Sequence, residues 1–163
     1  MGKLGTLIWY AILLVFFLIM YYVGSGFTVA LVDDGFAYMS PTLPPKTICL
    51  LDRRGSTARR LDKDDVIAFQ IFPSAKGQTE PQRWFGRVLA RAGATLSVRG
   101  GRLLADGTDV GPAPKRLKVL ETDLLVPRAT VFVGFDSSSD PELLLADRLV
   151  PLRTFLGRVM GKQ

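Results

Sequence analysis

With about 20 of its 163 residues assigned to a membrane segment, the chain keeps enough length for one compact domain with a modest core. It has no histidine and one cysteine, which excludes a Ser-His-Asp triad, every histidine-dependent metal site and an intrachain disulfide. Its 21 Lys and Arg outnumber its 15 Asp and Glu, and every charged residue but Lys3 follows position 32, so the domain is mildly basic.

From Leu4 to Val23 the chain is uncharged and strongly apolar, the length that spans a bilayer as a helix. Trp9 and Tyr10 lie towards one end and Tyr21 and Tyr22 at the other, as interfacial anchors do. Lys3 precedes the run while Asp33 and Asp34 follow it, so the positive-inside tendency places the N-terminus in the cytoplasm and the rest outside. The rival is a cleaved signal peptide. The stretch exceeds the usual apolar region of one, however, and Thr28-Val29-Ala30 is only an approximation to its cleavage site. The expected division is 1–26 for N-terminus, anchor and a flexible Gly24-Ser25-Gly26 joint, and 27–163 for a single extracytoplasmic domain.

The signals after the joint are those of strands. Thr47–Leu51, Asp65–Ile71, Arg83–Ala90 and Leu117–Leu120 are short runs rich in apolar and β-branched residues. Cys49, within Ile48-Cys49-Leu50-Leu51, reads as a small buried hydrophobe more than a nucleophile. Gly100-Gly101 and Asp106-Gly107 supply the positive φ angles of tight hairpins on either side of Arg102–Ala105, predicting a meander. Prolines 41, 44, 45, 73, 81, 112 and 114 mark turns and strand ends, and Gln70–Gln82 is the expected long loop. The fold class is therefore mostly β behind one transmembrane helix. The basic clusters Arg53-Arg54, Arg59-Arg60 and Lys115-Arg116-Lys118 lack the aromatic interleaving of nucleic-acid modules. They read as solvated surface, with an anionic lipid surface or acidic partner as the alternative.

Four segments, in order, carry a resemblance. Tyr38-Met39-Ser40-Pro41-Thr42-Leu43 and Pro45 resemble the Ser-Met-x-Pro-Thr-Leu box of type I signal peptidases, and Lys63–Phe69 resembles their Gly-Asp-x-Val-x-Phe strand. Gly86-Arg87-Val88 through Gly93, Leu96, Gly101-Arg102-Leu103 and Gly107 is similar to their Lys-Arg-Val…Pro-Gly-Asp…Gly-x-Leu…Asn-Gly segment. Val131–Asp136, running to Val150-Pro151 and Leu156-Gly157, resembles their Gly-Asp-Asn segment and closing strand. With the anchor, the likeness covers most of the chain. It implies a signal-peptidase-like β domain at the outer surface of the bacterial inner membrane, in a family that needs no metal or organic cofactor.

That family's chemistry needs a serine nucleophile and a lysine kept neutral by desolvation to take its proton. The matching positions hold Tyr38 and Gly86, and the hydroxyl that helps hold the oxyanion is matched by Phe36. Ungapped matching between Asp136 and Val150 sets the family's Ser, Asp and Arg on Pro141, Leu143 and Leu145. The resemblance thus implies a scaffold without its catalytic residues. The alternative is an active serine endopeptidase with a relocated nucleophile, Ser40, and Lys46 or Lys76 as base; Ser40 also reads as an ordinary turn serine.

In the family, the segment before the nucleophile pairs with the substrate backbone, so Asp33-Asp34-Gly35-Phe36-Ala37 is expected to keep an exposed strand edge. The candidate binding residues are Asp34, Gly35, Phe36, Ala37, Tyr38, Met39, Leu143, Leu144 and Leu145, of which Phe36, Tyr38, Met39 and the three leucines are expected to lie together as an apolar surface over the former cleft. Equally, Phe36, Tyr38 and the leucines read as core filling the old pocket. The expected partners are the lipid bilayer and a signal peptide, pilin-like precursor or other membrane protein, bound without cleavage, with no nucleic acid. A purely structural part of a secretion or pilus assembly is the third reading.

Overall fold

The computed structural model of the protein describes residues 3–71, 81–114, 117, 123–137 and 143–162. Helix α1, Lys3–Ser25, has 23 residues, about 34 Å at the α-helical rise. Its stretch Gly5–Tyr22 is long and apolar enough to cross a membrane, and none of that stretch is buried against the rest of the chain. The helix therefore does not serve as a core element of the β domain. Gly24 and Ser25 are helical, contrary to the expected flexible joint, and Gly26 alone separates α1 from the first strand.

The domain is mostly β. Strands β1 (Phe27–Leu31) and β2 (Ile48–Asp52) flank a 3₁₀ helix at Asp34–Met39, and the short helix α2 (Gly55–Arg59) leads towards β3 (Val66–Ile71) and β4 (Gln82–Ala90). Then follow β5 (Thr95–Arg99), β6 (Arg102–Ala105), β7 (Thr108–Pro112), β8 (Leu124–Leu125), β9 (Thr130–Gly134), helix α3 (Leu145–Arg148), β10 (Leu149–Pro151) and β11 (Phe155–Lys162). Seven strands form one sheet in the order β1-β2-β11-β3-β4-β9-β10, and four form a second in the order β7-β6-β5-β8. Three expected strands fall within one residue of β2, β3 and β4 at each end. The fourth does not hold where it is described: Leu117 sits in a short helical turn, its N–H donating to Pro114 O at 2.8 Å, and 118–120 lie outside the described residues. Most of the expected Gln70–Gln82 loop, 72–80, lies outside them too, with its ends belonging to β3 and β4.

Both hairpins form as their turn residues require. Gly100 and Gly101 have φ of +56° and +75° between β5 and β6, and Asp106 and Gly107 have +49° and +77° between β6 and β7. Antiparallel β11 lies between β2 and β3, and its Gly157 passes so near β2 that a Cβ there would meet Leu51 Cβ at 2.8 Å.

Strand β9 is buried on both faces because successive side chains alternate. Val131 and Val133 join the larger core of Ile67, Phe69, Phe85, Leu51 and Met39, while Phe132 turns to the smaller core of Ala90, Leu96, Leu103 and Val126 beneath the meander. β4 and β9 thus tie the two sheets together.

Candidate site at the Tyr38 turn

Residues 33–39 do not form the expected extended edge. Asp33 Oδ1 accepts the Asp34 N–H at 2.8 Å, Asp33 C=O accepts the Phe36 N–H at 3.0 Å, and the chain closes into the 3₁₀ turn. The cause is local, since an aspartate at the start of a helical turn satisfies an otherwise orphaned amide. Asp34, Gly35 and Ala37 are exposed, Phe36 is half-buried, and Tyr38 and Met39 are buried. The turn is fastened to the end of β9 by the Ser137 N–H, which donates to Tyr38 O at 2.9 Å.

Tyr38 sits in an aromatic cluster. Its ring stacks on Trp84 of β4, with centroids 5.2 Å apart and planes 22° apart, and meets Phe135 edge-on at 4.9 Å and Phe36 at 5.7 Å. Burial pushes its phenol far above the ordinary tyrosine range, while the nearby Phe85 backbone opposes that rise without a well-formed hydrogen bond. Both Oη and the Trp84 indole Nε1 are buried with no hydrogen-bond partner among the described residues. A phenol held protonated in an apolar cluster is no acyl-transfer nucleophile.

Gly86 lies two residues beyond Trp84 on β4, opposite Ile67 of β3. A Cβ there would stand 3.2 Å from Phe69 Cε1 and 3.2 Å from Val133 Cβ, so any side chain at this position would press on a ring and a valine. Ser40 is half-buried at the end of the turn, its N–H donating to Ala37 O at 3.1 Å. The Lys46 ammonium is exposed and lies 4.0 Å from an Asp34 carboxylate oxygen. It thus lacks the desolvated setting that a lysine base of this kind requires. Lys76 and Pro141 lie outside the described residues. The Cys49 thiol is buried, donates to Ala30 O at 3.4 Å and is pushed up by desolvation, so it too is poorly suited to attack.

The leucine run divides. Leu143 is buried in the larger core with Tyr38 and Met39, Leu145 is half-buried against the smaller core, and Leu144 is half-buried between them. The expected apolar surface is therefore corrected: three of its members, Tyr38, Met39 and Leu143, are interior, because the hydrophobic effect drives leucines and aromatics out of water into the close-packed core.

Sequence reasoning missed the polar residues around this cluster. Asp147 and Arg148 of α3 are buried, and the Arg148 guanidinium lies over the Phe135 ring at 5.0 Å. Ungapped matching set the family's polar residues on Pro141, Leu143 and Leu145 and so missed this pair. Nearby, Arg87 grips Asp136 through Nε and Nη2, both at 2.7 Å, and also donates to Thr42 Oγ1 at 2.8 Å and Asp64 O at 2.9 Å. This fork joins the Tyr38 turn to β4 and to the end of β9. All of its side chains stood within resembling segments, but nothing in their spacing announced the contact.

No protein-family model matches the chain, and no curated protein matches it.

Proposed function

We propose that this chain is a non-catalytic, membrane-anchored module on a signal-peptidase-like scaffold, which holds a signal peptide, pilin-like precursor or neighbouring membrane protein without cutting it. In this reading the N-terminus is cytoplasmic, residues 27–163 lie outside, and the membrane is the bacterial inner membrane. The observation that carries it is the packing of the two positions the chemistry needs: Tyr38 is stacked on Trp84, and the space above Gly86 is closed by Phe69 and Val133. In this reading both positions serve core packing, and neither supplies the nucleophile or the base that cleavage needs.

Peptide capture has a structural basis elsewhere in the turn's neighbourhood. Among the described residues β1 is an edge of the seven-stranded sheet, and its outer side presents backbone groups suited to β-addition by an extended segment. The exposed Ala37 follows that edge closely. A photo-crosslinking residue at Ala37, in the full chain in native membranes, is expected to trap an exported precursor or a membrane protein. The same probe at exposed Arg99 of the meander is expected to trap neither. Equal adducts at both positions, or cleavage of a preprotein abolished by Ser40→Ala, would overturn the reading.

A further inference from the structure

The strands that end the two sheets are not alike. Among the described residues these edges are β1 and β10 of the large sheet and β7 and β8 of the small one. β10 has three residues and closes on Pro151, and β8 has two. β7 carries Asp109, ends on Pro112 and shifts register against β6. Short length, charge, proline and bulges are the devices that keep a sheet edge from pairing with another chain. β1, of ordinary length, has none of them. It pairs with β2 through an unbroken five-residue register, and no charged residue stands between Lys3 and Asp33.

Two hydrogen bonds decide which backbone groups of β1 face outward. The Arg53 N–H donates to Gly26 O at 2.8 Å and the Val32 N–H donates to Thr47 O at 2.9 Å, and both pairs continue the β1–β2 register beyond its ends. An antiparallel ladder alternates bonded and unbonded pairs, so Thr28 and Ala30 bond β2, while Phe27, Val29 and Leu31 turn their N–H and C=O groups to the outer side. That parity makes the edge complementary to itself. A second β1 laid antiparallel with Val29 opposite Val29 sets Phe27 opposite Leu31, so each outward N–H meets an outward C=O. Thr28 then faces Ala30, and no like charges oppose one another.

We propose that two copies of this chain pair in one membrane through their β1 strands, antiparallel about a two-fold axis at Val29, joining their large sheets edge to edge. The tether favours a second copy as the occupant. Gly26 alone separates the end of α1 from β1, so copies inserted with one topology present this edge at one depth, related by an axis along the membrane normal. A five-residue strand contact is small for a complex in free solution, and confinement to one bilayer raises the effective concentration of one edge for another. The pairing rests on α1 spanning the membrane. It closes the same edge that a captured peptide would join, so copy and peptide exclude each other, a consequence that rests also on the capture reading.

The test uses the full chain in native membranes, with single added cysteines and mild oxidation. Wild type, whose Cys49 is buried, is the blank. Bonded antiparallel partners have Cα atoms about 5.5 Å apart, within disulfide reach. Val29→Cys is therefore expected to give several-fold more linked dimer than Leu31→Cys or Arg99→Cys, because only position 29 meets itself. Leu31→Cys on one tagged copy and Phe27→Cys on another are expected to link to each other. Adding Val29→Lys to both copies is expected to abolish that link, and Val29→Lys on one with Val29→Glu on the other to restore it. Dimer from Val29→Cys no greater than from Arg99→Cys would overturn the pairing. Equal dimer from Leu31→Cys, or no restoration by the Lys and Glu pair, would overturn the two-fold axis at Val29 and the proposal with it. Linkage of Val29→Cys only to a different protein would assign the edge to that protein instead. With Val29→Cys oxidised, adducts from the Ala37 photoprobe are expected to fall several-fold and to return on reduction. Unchanged adducts would overturn the exclusion and leave the pairing, whereas no precursor or membrane-protein adduct in either state would overturn peptide capture and leave the pairing.

Discussion

Tyr38 and Trp84 stack with centroids 5.2 Å apart, and each buries a polar atom, Oη and Nε1, that no group among the described residues satisfies. The pair joins the Tyr38 turn to the middle of the large sheet through ring contact alone. An unsatisfied buried hydroxyl is a net cost of about 1–3 kcal/mol, so Tyr38→Phe is expected to leave stability unchanged or raise it by about 1 kcal/mol. Tyr38→Ser, which removes the ring, is expected to lower it by about 3 kcal/mol. Thermal denaturation of the full chain in detergent measures both. Marked destabilisation by Tyr38→Phe would show that the hydroxyl is bonded after all.

Gly86 makes restoration of a lysine a packing problem before it is a chemical one. Because Phe69 and Val133 would both touch the new Cβ, Gly86→Lys is expected to destabilise the domain by about 2 kcal/mol. The double change Tyr38→Ser with Gly86→Lys is expected to cleave no preprotein above background. Cleavage by that double variant would mean that the surrounding residues retain a productive geometry.

Asp52 links acidity to the junction beneath α1. Its fully covered carboxylate accepts from the Arg54 side chain and amide and from Thr57, and the Arg54 hydrogen bonds above all hold it well below the usual carboxylate range. With the folded pKa depressed, the stabilisation is complete above the unfolded carboxylate value of about 4 and is lost as pH falls through the folded one. Asp52→Asn is therefore expected to flatten the loss of stability below about pH 4 and to weaken the domain at neutral pH. Acid titrations of wild type and variant, followed by denaturation midpoint, should diverge most at neutral pH and converge in acid.

Arg87 is the polar bolt of the site. Arg87→Ala removes four hydrogen bonds and leaves the mostly buried Asp136 without its bidentate partner, an expected loss of about 3 kcal/mol. Arg87→Lys is expected to recover only part of it, since an ammonium cannot reproduce the planar fork that holds Asp136 and Thr42 together. Urea denaturation of both variants, with Thr42→Val as a smaller perturbation, measures the difference. Full recovery by lysine would show that charge alone matters there.

The features legible in the sequence were those set by neighbours along the chain. An uncharged apolar run becomes a helix of spanning length because such residues have no better exposure elsewhere, and Gly100-Gly101 and Asp106-Gly107 become hairpin turns because few other residues accept their φ angles. The cores of β2, β3 and β4 followed from short β-branched and aromatic runs. Tertiary contacts decided the rest. Nothing local tells β11 to enter between β2 and β3, sets Arg87 against Thr42 and Asp136, or brings Arg148 over Phe135. Residues 33–37 read as an extended edge and closed into a 3₁₀ turn because Asp33 satisfied a neighbouring amide. Likewise, which apolar residues are interior and which face outward is not a property of the residues: Leu143 is buried and Leu31 is exposed, and only the partners that long-range pairing supplies distinguish them.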